Sequence, residues 1–381
     1  MTSPRKFFLN GLLPLFLLAA AFLPASAQSS TEEFKPSGKI YGYFFGDYYF
    51  KAGGDTATWA SRAEYSAVPK DVNAFALRRM YLGYDYNISP TFSTVALLEA
   101  QDVFLDTRGD RTVTIKSLHM RWKNIYKRAD LLIGQMPTLS FAFLSEKIWS
   151  YRSIEKMVID QRAVRSSSDM GVALLGVLDS LGNYGYNFMI GNGTGTRPEE
   201  LNPVGKSKII SLEVFSYFLE KKILLELYGD YQTGINDKTQ VLLKSLLAYQ
   251  GKSLTVGFEM MHQTLNNIKS DGTDAIPFGY SVFARGMIVK DKLGYFARYD
   301  SFDQDLNYRV QDIPPVYNRP TMFQNYDEQF FVAGFDWSPH KNIHFMPNIW
   351  INSYSAKGES SLLVDREADV VPRLTFMFSY R

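Results

Sequence analysis

The stretch RLTFMFSYR, residues 373–381, carries the strongest pattern in the chain. Leu374, Phe376, Phe378 and Tyr380 share one face of an extended segment. Arg373, Thr375, Met377, Ser379 and Arg381 share the other. Successive strand side chains point to opposite faces, so one face here is wholly apolar and aromatic. Left unpaired, such a strand would be a template for aggregation. The expectation is that it pairs with GKIYGYFFGDYYF at 38–50 and closes a sheet without edges.

At the opposite terminus, Arg5 and Lys6 form a short basic region, Gly11 to Leu23 an apolar run, and Ala25-Ser26-Ala27 a small-x-small cleavage pattern. The apolar run is shorter than the roughly 20 residues a spanning helix needs. Residues 1–27 therefore read as a signal peptide, removed near Ala27 after Sec export, with 28–381 as the mature chain. No Cys is present, so disulfides and Cys-bound metal are not expected. A net charge of +2 with 21% charged residues suits neither a nucleic-acid binder nor a disordered tail. Aromatics reach 15%, nearly all Tyr and Phe, residues that favour strands and membrane interfaces. Beyond the signal no apolar stretch is long enough for a transmembrane helix. A membrane location would then require a barrel, the other structure that satisfies its backbone in lipid.

Period-2 alternation bounded by turn residues predicts sixteen strands: 39–50, 74–86, 92–102, 112–123, 129–136, 168–178, 183–191, 207–219, 222–232, 240–250, 253–263, 280–289, 292–301, 328–337, 342–353 and 372–381. Every second connection is short, as at Ile88-Ser89-Pro90, Glu220-Lys221, Gly251-Lys252 and Lys290-Asp291. Those between are longer: 51–73, 103–111, 137–167, 192–206, 233–239, 264–279, 302–327 and 354–371. Short turns on one rim and long loops on the other are the pattern of an outer-membrane barrel. The fold expectation is an all-β, transmembrane antiparallel β-barrel of sixteen strands, with short periplasmic turns and long extracellular loops, in the outer membrane of a Gram-negative cell. Parity turns Ile210, Leu212, Val214 and Phe218 to lipid, and Ser211, Glu213 and Tyr217 to a polar lumen.

Several stretches resemble the porins of Bacteroidetes-type bacteria, which are distantly similar to phosphate-selective porins O and P. They are FFGDYYF at 44–50, FALRRMYLGYDYNISPTFSTVALLEA at 75–100, LLIGQM at 131–136, LSEKIWSYRSIEKMVIDQR at 144–162 and NFMIGNGTG at 187–195. The resemblance implies a barrel that passes small hydrophilic solutes and ions, sits in outer-membrane lipid, is delivered by the barrel-assembly machinery, and forms oligomers such as a homotrimer. Leu374, Phe376, Phe378 and Tyr380 resemble the C-terminal assembly signal of such proteins, one residue out of register because Arg381 follows Tyr380. Phosphate specificity is not carried over, because the basic residues do not form a one-signed set.

Loop 137–167 is the candidate constriction loop. Leu144, Ile148, Tyr151, Ile154 and Val158 recur at helical spacing, with Glu146, Lys147, Arg152, Glu155, Lys156, Arg162 and Arg165 between or beside them. A charged ring at a constriction sets ion preference through its local field, and a mild basic excess would favour anions. The alternative is a surface helix with a solvated charged face. Arg79, Arg121, Lys123, Arg285, Arg298 and Arg373 are predicted on the lumen wall, with Asp47, Asp85, Glu99, Glu213, Glu226, Asp230, Glu259, Asp300 and Asp336 opposing them. Parity puts only one of Arg78 and Arg79 inside, so the other must face lipid or reach to an interface. Tyr48, Tyr84, Tyr86, Trp122 and Trp337 read as interfacial belt residues. No cofactor, metal site or enzymatic centre is expected: the four His lack metal-ligand spacing, and GNGTG at 191–195 lacks the Lys of a phosphate loop. The competing functions are a solute-specific channel for anions or oligosaccharides, a non-conducting barrel serving as adhesin or scaffold through loops 51–73 and 302–327, and a soluble secreted β-protein.

Overall fold

The alternating segments form sixteen strands. They are β1 Ser37–Phe50, β2 Asn73–Asn87, β3 Phe92–Leu105, β4 Arg111–Tyr126, β5 Ala129–Pro137, β6 Ser168–Val177, β7 Tyr184–Gly191 and β8 Ile209–Phe218. The second half comprises β9 Ile223–Thr233, β10 Thr239–Gln250, β11 Leu254–Asn266, β12 Phe278–Val289, β13 Leu293–Asp303, β14 Tyr326–His340, β15 Ile343–Ala356 and β16 Asp369–Tyr380. The computed structural model describes residues 34–55, 64–105, 108–197, 207–234, 238–269, 271–309, 326–357 and 366–380. The signal-peptide segment 1–27 and Arg381 lie outside the described residues, as do 56–63 and 310–325 of the two loops assigned to an adhesive role.

Each strand pairs antiparallel with its neighbours in the chain, and β16 returns to β1, from Gly42 opposite Tyr380 to Tyr49 opposite Arg373. The barrel is closed as the alternation predicts, and every ladder has a partner. The outer face is apolar: Ile115, Leu118, Leu243, Leu247 and Phe335 are exposed there. Tyr48, Tyr84 and Trp337 are exposed with them, and Trp337 stacks on Phe345 at 5.6 Å between ring centres. Among the described residues no helix is long and apolar enough to cross a membrane. The crossing elements are the strands.

Three expectations need correction. First, Arg78 and Arg79 both turn inward. The register between β1 and β2 shifts at Phe45/Gly46, where Phe45 lies opposite Arg79 and Gly46 opposite Leu77. Arg78 is the extra residue of a bulge, which resets the side-chain phase. Both arginines are buried, at 5% and 4% exposure. Second, the helical spacing over 144–158 does not give one helix. Two short turns form, α1 Ser145–Trp149 and α2 Val158–Gln161. Ser150 ends α1 in the left-handed conformation, φ 63°, with its N–H bonded to the Glu146 carbonyl.

Third, the lumen is not polar throughout. Inward positions Leu224, Leu242, Leu246, Met261, Phe283, Phe296, Phe330, Val332, Met346 and Trp350 form a dry core with residues of the loop after β5. Gly257 makes room for it: a Cβ there would come 2.2 Å from the Phe283 ring, so only glycine lets that ring lie flat on β11.

Candidate functional site

The segment between β5 and β6, residues 138–167, folds into the barrel rather than over its rim. Leu139, Phe141, Ile148, Trp149, Ile154, Met157, Val158 and Ile159 are all 5% exposed or less. Trp149 sits at their centre, edge-on to Phe283 at 5.4 Å and Phe296 at 6.3 Å, under the Arg298 guanidinium at 5.5 Å. Burying these side chains is the main force holding the loop inside, at about 1.5–3 kcal/mol for each large apolar group.

A loop of irregular backbone inside a barrel leaves carbonyls that water cannot reach, and each must find a donor. The wall arginines supply them. Arg78 Nη1 donates to the carbonyls of Ser153 at 2.6 Å and Ile154 at 3.0 Å. Arg373 Nη2 donates to Ile154 O at 2.6 Å, Arg285 Nε to Ile148 O at 2.8 Å, and Arg298 Nη1 to Lys156 O. Guanidinium suits this work because it stays charged and offers five donors in a rigid plane. Its remaining donors hold strand carboxylates, as in Arg298 with Asp300 and Arg373 with Asp47. Arg285, Arg298 and Asp300, expected as lumen wall, are thus loop clamps and their counter-ion.

The expected loop charges divide into two sets. Glu155, Arg162 and Arg165 are buried against the wall. Glu155 accepts from Trp350 Nε1 at 2.9 Å, Arg162 pairs with Glu328 and donates to Asn352 at 3.0 Å, and Arg165 grips Asp230 through both nitrogens at 2.6 and 2.8 Å. Glu146, Lys147, Arg152 and Lys156 remain partly or fully accessible, as does Asp160. Arg152 binds Glu146 and, at 2.9 Å, Asp160. Across from this set stand Arg79 and Tyr81 of β2, Glu99 of β3 and Lys116 of β4. Lys116 pairs with Glu99 at 3.0 Å, Tyr81 donates to Glu99 at 2.6 Å, and Lys116 reaches Ser167 Oγ of the loop at 2.7 Å. Burial opposes ionisation of Asp160, yet Arg152, then Lys156, Arg79 and Lys116, hold its carboxyl down at about 2. Arg121 lies further along β4, exposed and paired with Asp130.

Two features escaped the sequence. Part of the first loop also turns inward. Tyr65 is 3% exposed, donates to Asp47 and meets Trp350 at 5.4 Å, while Lys51 donates to its carbonyl at 2.7 Å and pairs with Asp369. Glu64 beside it binds Arg78. The second feature is the role of GNGTG at 191–195. Its N–H groups at Gly193 and Gly195 close around the Asp169 carboxylate of β6, at 2.7 and 3.2 Å. The anion-cradling geometry is present and its occupant is the chain's own carboxylate.

Ser338, His344 and Asp336 also converge. His344 Nδ1 lies 2.9 Å from both Ser338 Oγ and Asp336 Oδ1. Both contacts use one ring nitrogen, whereas a Ser–His–Asp relay needs the two nitrogens on separate partners. His262 stands on the outer face among Leu243 and Phe278. The described residues contain no group of His, Cys, Asp or Glu arranged to hold a metal.

No protein-family model and no curated protein matches the sequence. Solved structures do match. The outer membrane channel DcaP of Acinetobacter baumannii superposes with a TM-score of 0.64 at 12% identity, over 92% of this chain and 99% of that one. A trimer form of the outer membrane protein OmpT of Vibrio cholerae gives 0.60 at 12% identity, over 91% and 100%. An anion-selective porin from Comamonas acidovorans gives 0.58 at 10% identity, over 91% and 100%. At these identities the likeness concerns architecture, and across nearly the whole chain that architecture is the sixteen-strand barrel of the outer-membrane porins.

Proposed function

We propose that this chain is an outer-membrane porin that passes ions and small hydrophilic solutes through a one-sided constriction. The observation that carries it is the docked loop. Its apolar side is sealed to β9–β16, while Glu146, Arg152, Lys156 and Asp160 face Arg79, Glu99 and Lys116. A narrow passage lined by both signs of charge sets a transverse field and filters solutes by size and charge. Cations outnumber carboxylates in this group, which supports a mild preference for anions. The similarity to an anion-selective porin points the same way. Membership of a Bacteroidetes-type porin family and assembly as a homotrimer, in line with the trimer form of one structural neighbour, belong to the same proposal. Signal cleavage near Ala27 and delivery by the assembly machinery complete it.

The test is single-channel conductance of refolded 28–381 in a planar bilayer under a salt gradient. Discrete, stable current steps with a reversal potential of the anion-selective sign are expected. The dry core that fills part of the lumen favours one competing reading, a barrel closed by its own loop and serving as a scaffold. A folded, inserted barrel that never conducts would establish that reading instead.

A further inference from the structure

The charges on the open side of the loop do not cancel. Four cations meet there: Arg79, Lys116, Arg152 and Lys156. Glu99, Glu146 and Asp160 accompany them, while Glu64 is held by Arg78 and Glu155 by Trp350. Each of the first three carboxylates is engaged by Lys116 or Arg152 within ordinary pairing distance. Lys156 is left without an ion pair, and Arg79 with only a long one to Glu99. Arg79 is 4% exposed, its Nε is 3.6 Å from Glu99 and 3.4 Å from Gln101, and its Nη1 is buried with no hydrogen-bond partner. A buried, unmatched guanidinium N–H is costly, so an unmet donor at this depth indicates a missing acceptor.

Lys156 completes the picture. Its carbonyl is turned to Arg298 on the sealed side, and its ammonium makes no hydrogen bond or ion pair among the described residues. Burial, and next to it the Arg79 guanidinium, pull that ammonium below the ordinary lysine range. Two cations repel each other here, and Asp160, Glu64 and Glu155 attract the ammonium without any of them pairing with it. The β2 bulge sets this up, because it frees Arg78 to hold Glu64 and the loop carbonyls while Arg79 turns inward beside Glu99.

We propose that Arg79 and Lys156 form an oxyanion subsite in the constriction, selective for the carboxylate of a small solute. The proposal rests on the porin reading for its biological use. Donor number selects the class: the unmet guanidinium N–H of Arg79 and the unpaired ammonium of Lys156 match the two oxygens of a carboxylate and leave further oxygens of a phosphate without donors. A planar carboxylate can also take two parallel N–H donors from the guanidinium, with the ammonium on its far oxygen.

Ligand-observed NMR tests this directly, by saturation transfer from the refolded barrel to propionate. Transfer is expected in the unmodified chain, with hydrogen phosphate competing less well than acetate. Arg79→Gln and Lys156→Gln should each weaken propionate binding roughly tenfold, the loss of one charge-assisted hydrogen bond. Lys221→Gln, in the β8–β9 turn, should leave it unchanged. Absence of transfer, or equal transfer in both variants, overturns the subsite. Stronger competition by phosphate overturns its selectivity. Should Arg79→Gln fail to fold, Lys156→Gln still decides, because its ammonium holds nothing else in place. A barrel that conducts without binding propionate sinks the subsite alone, whereas one that binds propionate through these two residues yet never conducts sinks the porin reading alone.

Discussion

The two walls of the lumen are built from different residues. From β9 to β16 the inward positions alternate leucines, phenylalanines and Trp350 with arginines and carboxylates, nearly all buried under the loop. From β2 to β4 most are charged or polar, Arg79, Tyr81, Glu99, Lys116, His119, Arg121 and Lys123, with Val95 and Leu97 of β3 the apolar residues beside them. The first wall is a protein interior that happens to lie inside a barrel. The second is a charged and polar surface, buried at Arg79, Tyr81 and Glu99 and open to solvent, in part or fully, at Lys116, His119, Arg121 and Lys123. The loop between them is amphipathic in the same sense, with Trp149 and Ile159 on one side and Arg152 and Asp160 on the other. A charge on one wall therefore acts on stability, and a similar charge on the other acts on whatever passes.

Removing the whole divider should have the largest effect. Deletion of 144–162 is expected to leave the barrel heat-shifted on gels and to raise single-channel conductance severalfold. Unchanged conductance would show that the loop does not limit the passage. Truncating its anchor comes next. Trp149→Ala opens a cavity at the centre of the inner core and should cost about 3–5 kcal/mol of loop docking. Noisy, enlarged current steps with an intact barrel are the expected readout.

The same comparison separates two lysines. Lys244, wholly buried on the sealed wall, sits among Glu226, Glu259 and Ser145 of the loop. Lys244→Met leaves those carboxylates buried without a cation and should destabilise the barrel by about 3–5 kcal/mol, seen as a lower urea midpoint. On the open wall, Arg79→Gln should move the reversal potential toward cations with little change in that midpoint. Arg298→Gln should do the reverse, since it clamps Lys156 O and Asp300. Equal shifts in reversal potential for Arg79→Gln and Arg298→Gln would erase the distinction between the walls.

The smallest expected effect is on pH. Lys156 is held below the ordinary lysine range, by burial first and Arg79 second. Its charge is lost, as pH rises, before that of an exposed lysine. Anion preference should then decline on the alkaline side in the unmodified chain and stay flat in Lys156→Gln over the same range. Parallel curves would remove Lys156 from the passage.

Much of this architecture is legible along the chain. Lipid accepts only apolar side chains on the outer face and requires every backbone group to be paired, so each strand must alternate and each turn must be short or polar. The aromatic face from Leu374 to Tyr380 and its closure with β1 follow from that constraint. The inner side carries no comparable rule. Parity says that Leu224, Leu246, Phe296 and Trp350 point inward, and their apolar character was the available sign that something dry packs against them. Parity was least reliable at Arg78 and Arg79, because a bulge changes the phase without altering composition.

Strand number, order, closure and the identity of the long loop after β5 were determined by the sequence alone, because the bilayer imposes a period on every strand independently of the others. Which arginines hold the loop, which face the passage, that Tyr65 turns inward and that Asp169 fills its own glycine cradle were settled only by the tertiary structure. Those roles depend on contacts between residues far apart in the chain, as between Arg373 and Ile154 or Lys51 and Asp369. No local periodicity encodes them, since a guanidinium that points into a lumen looks the same in sequence whether it meets water or a buried carbonyl.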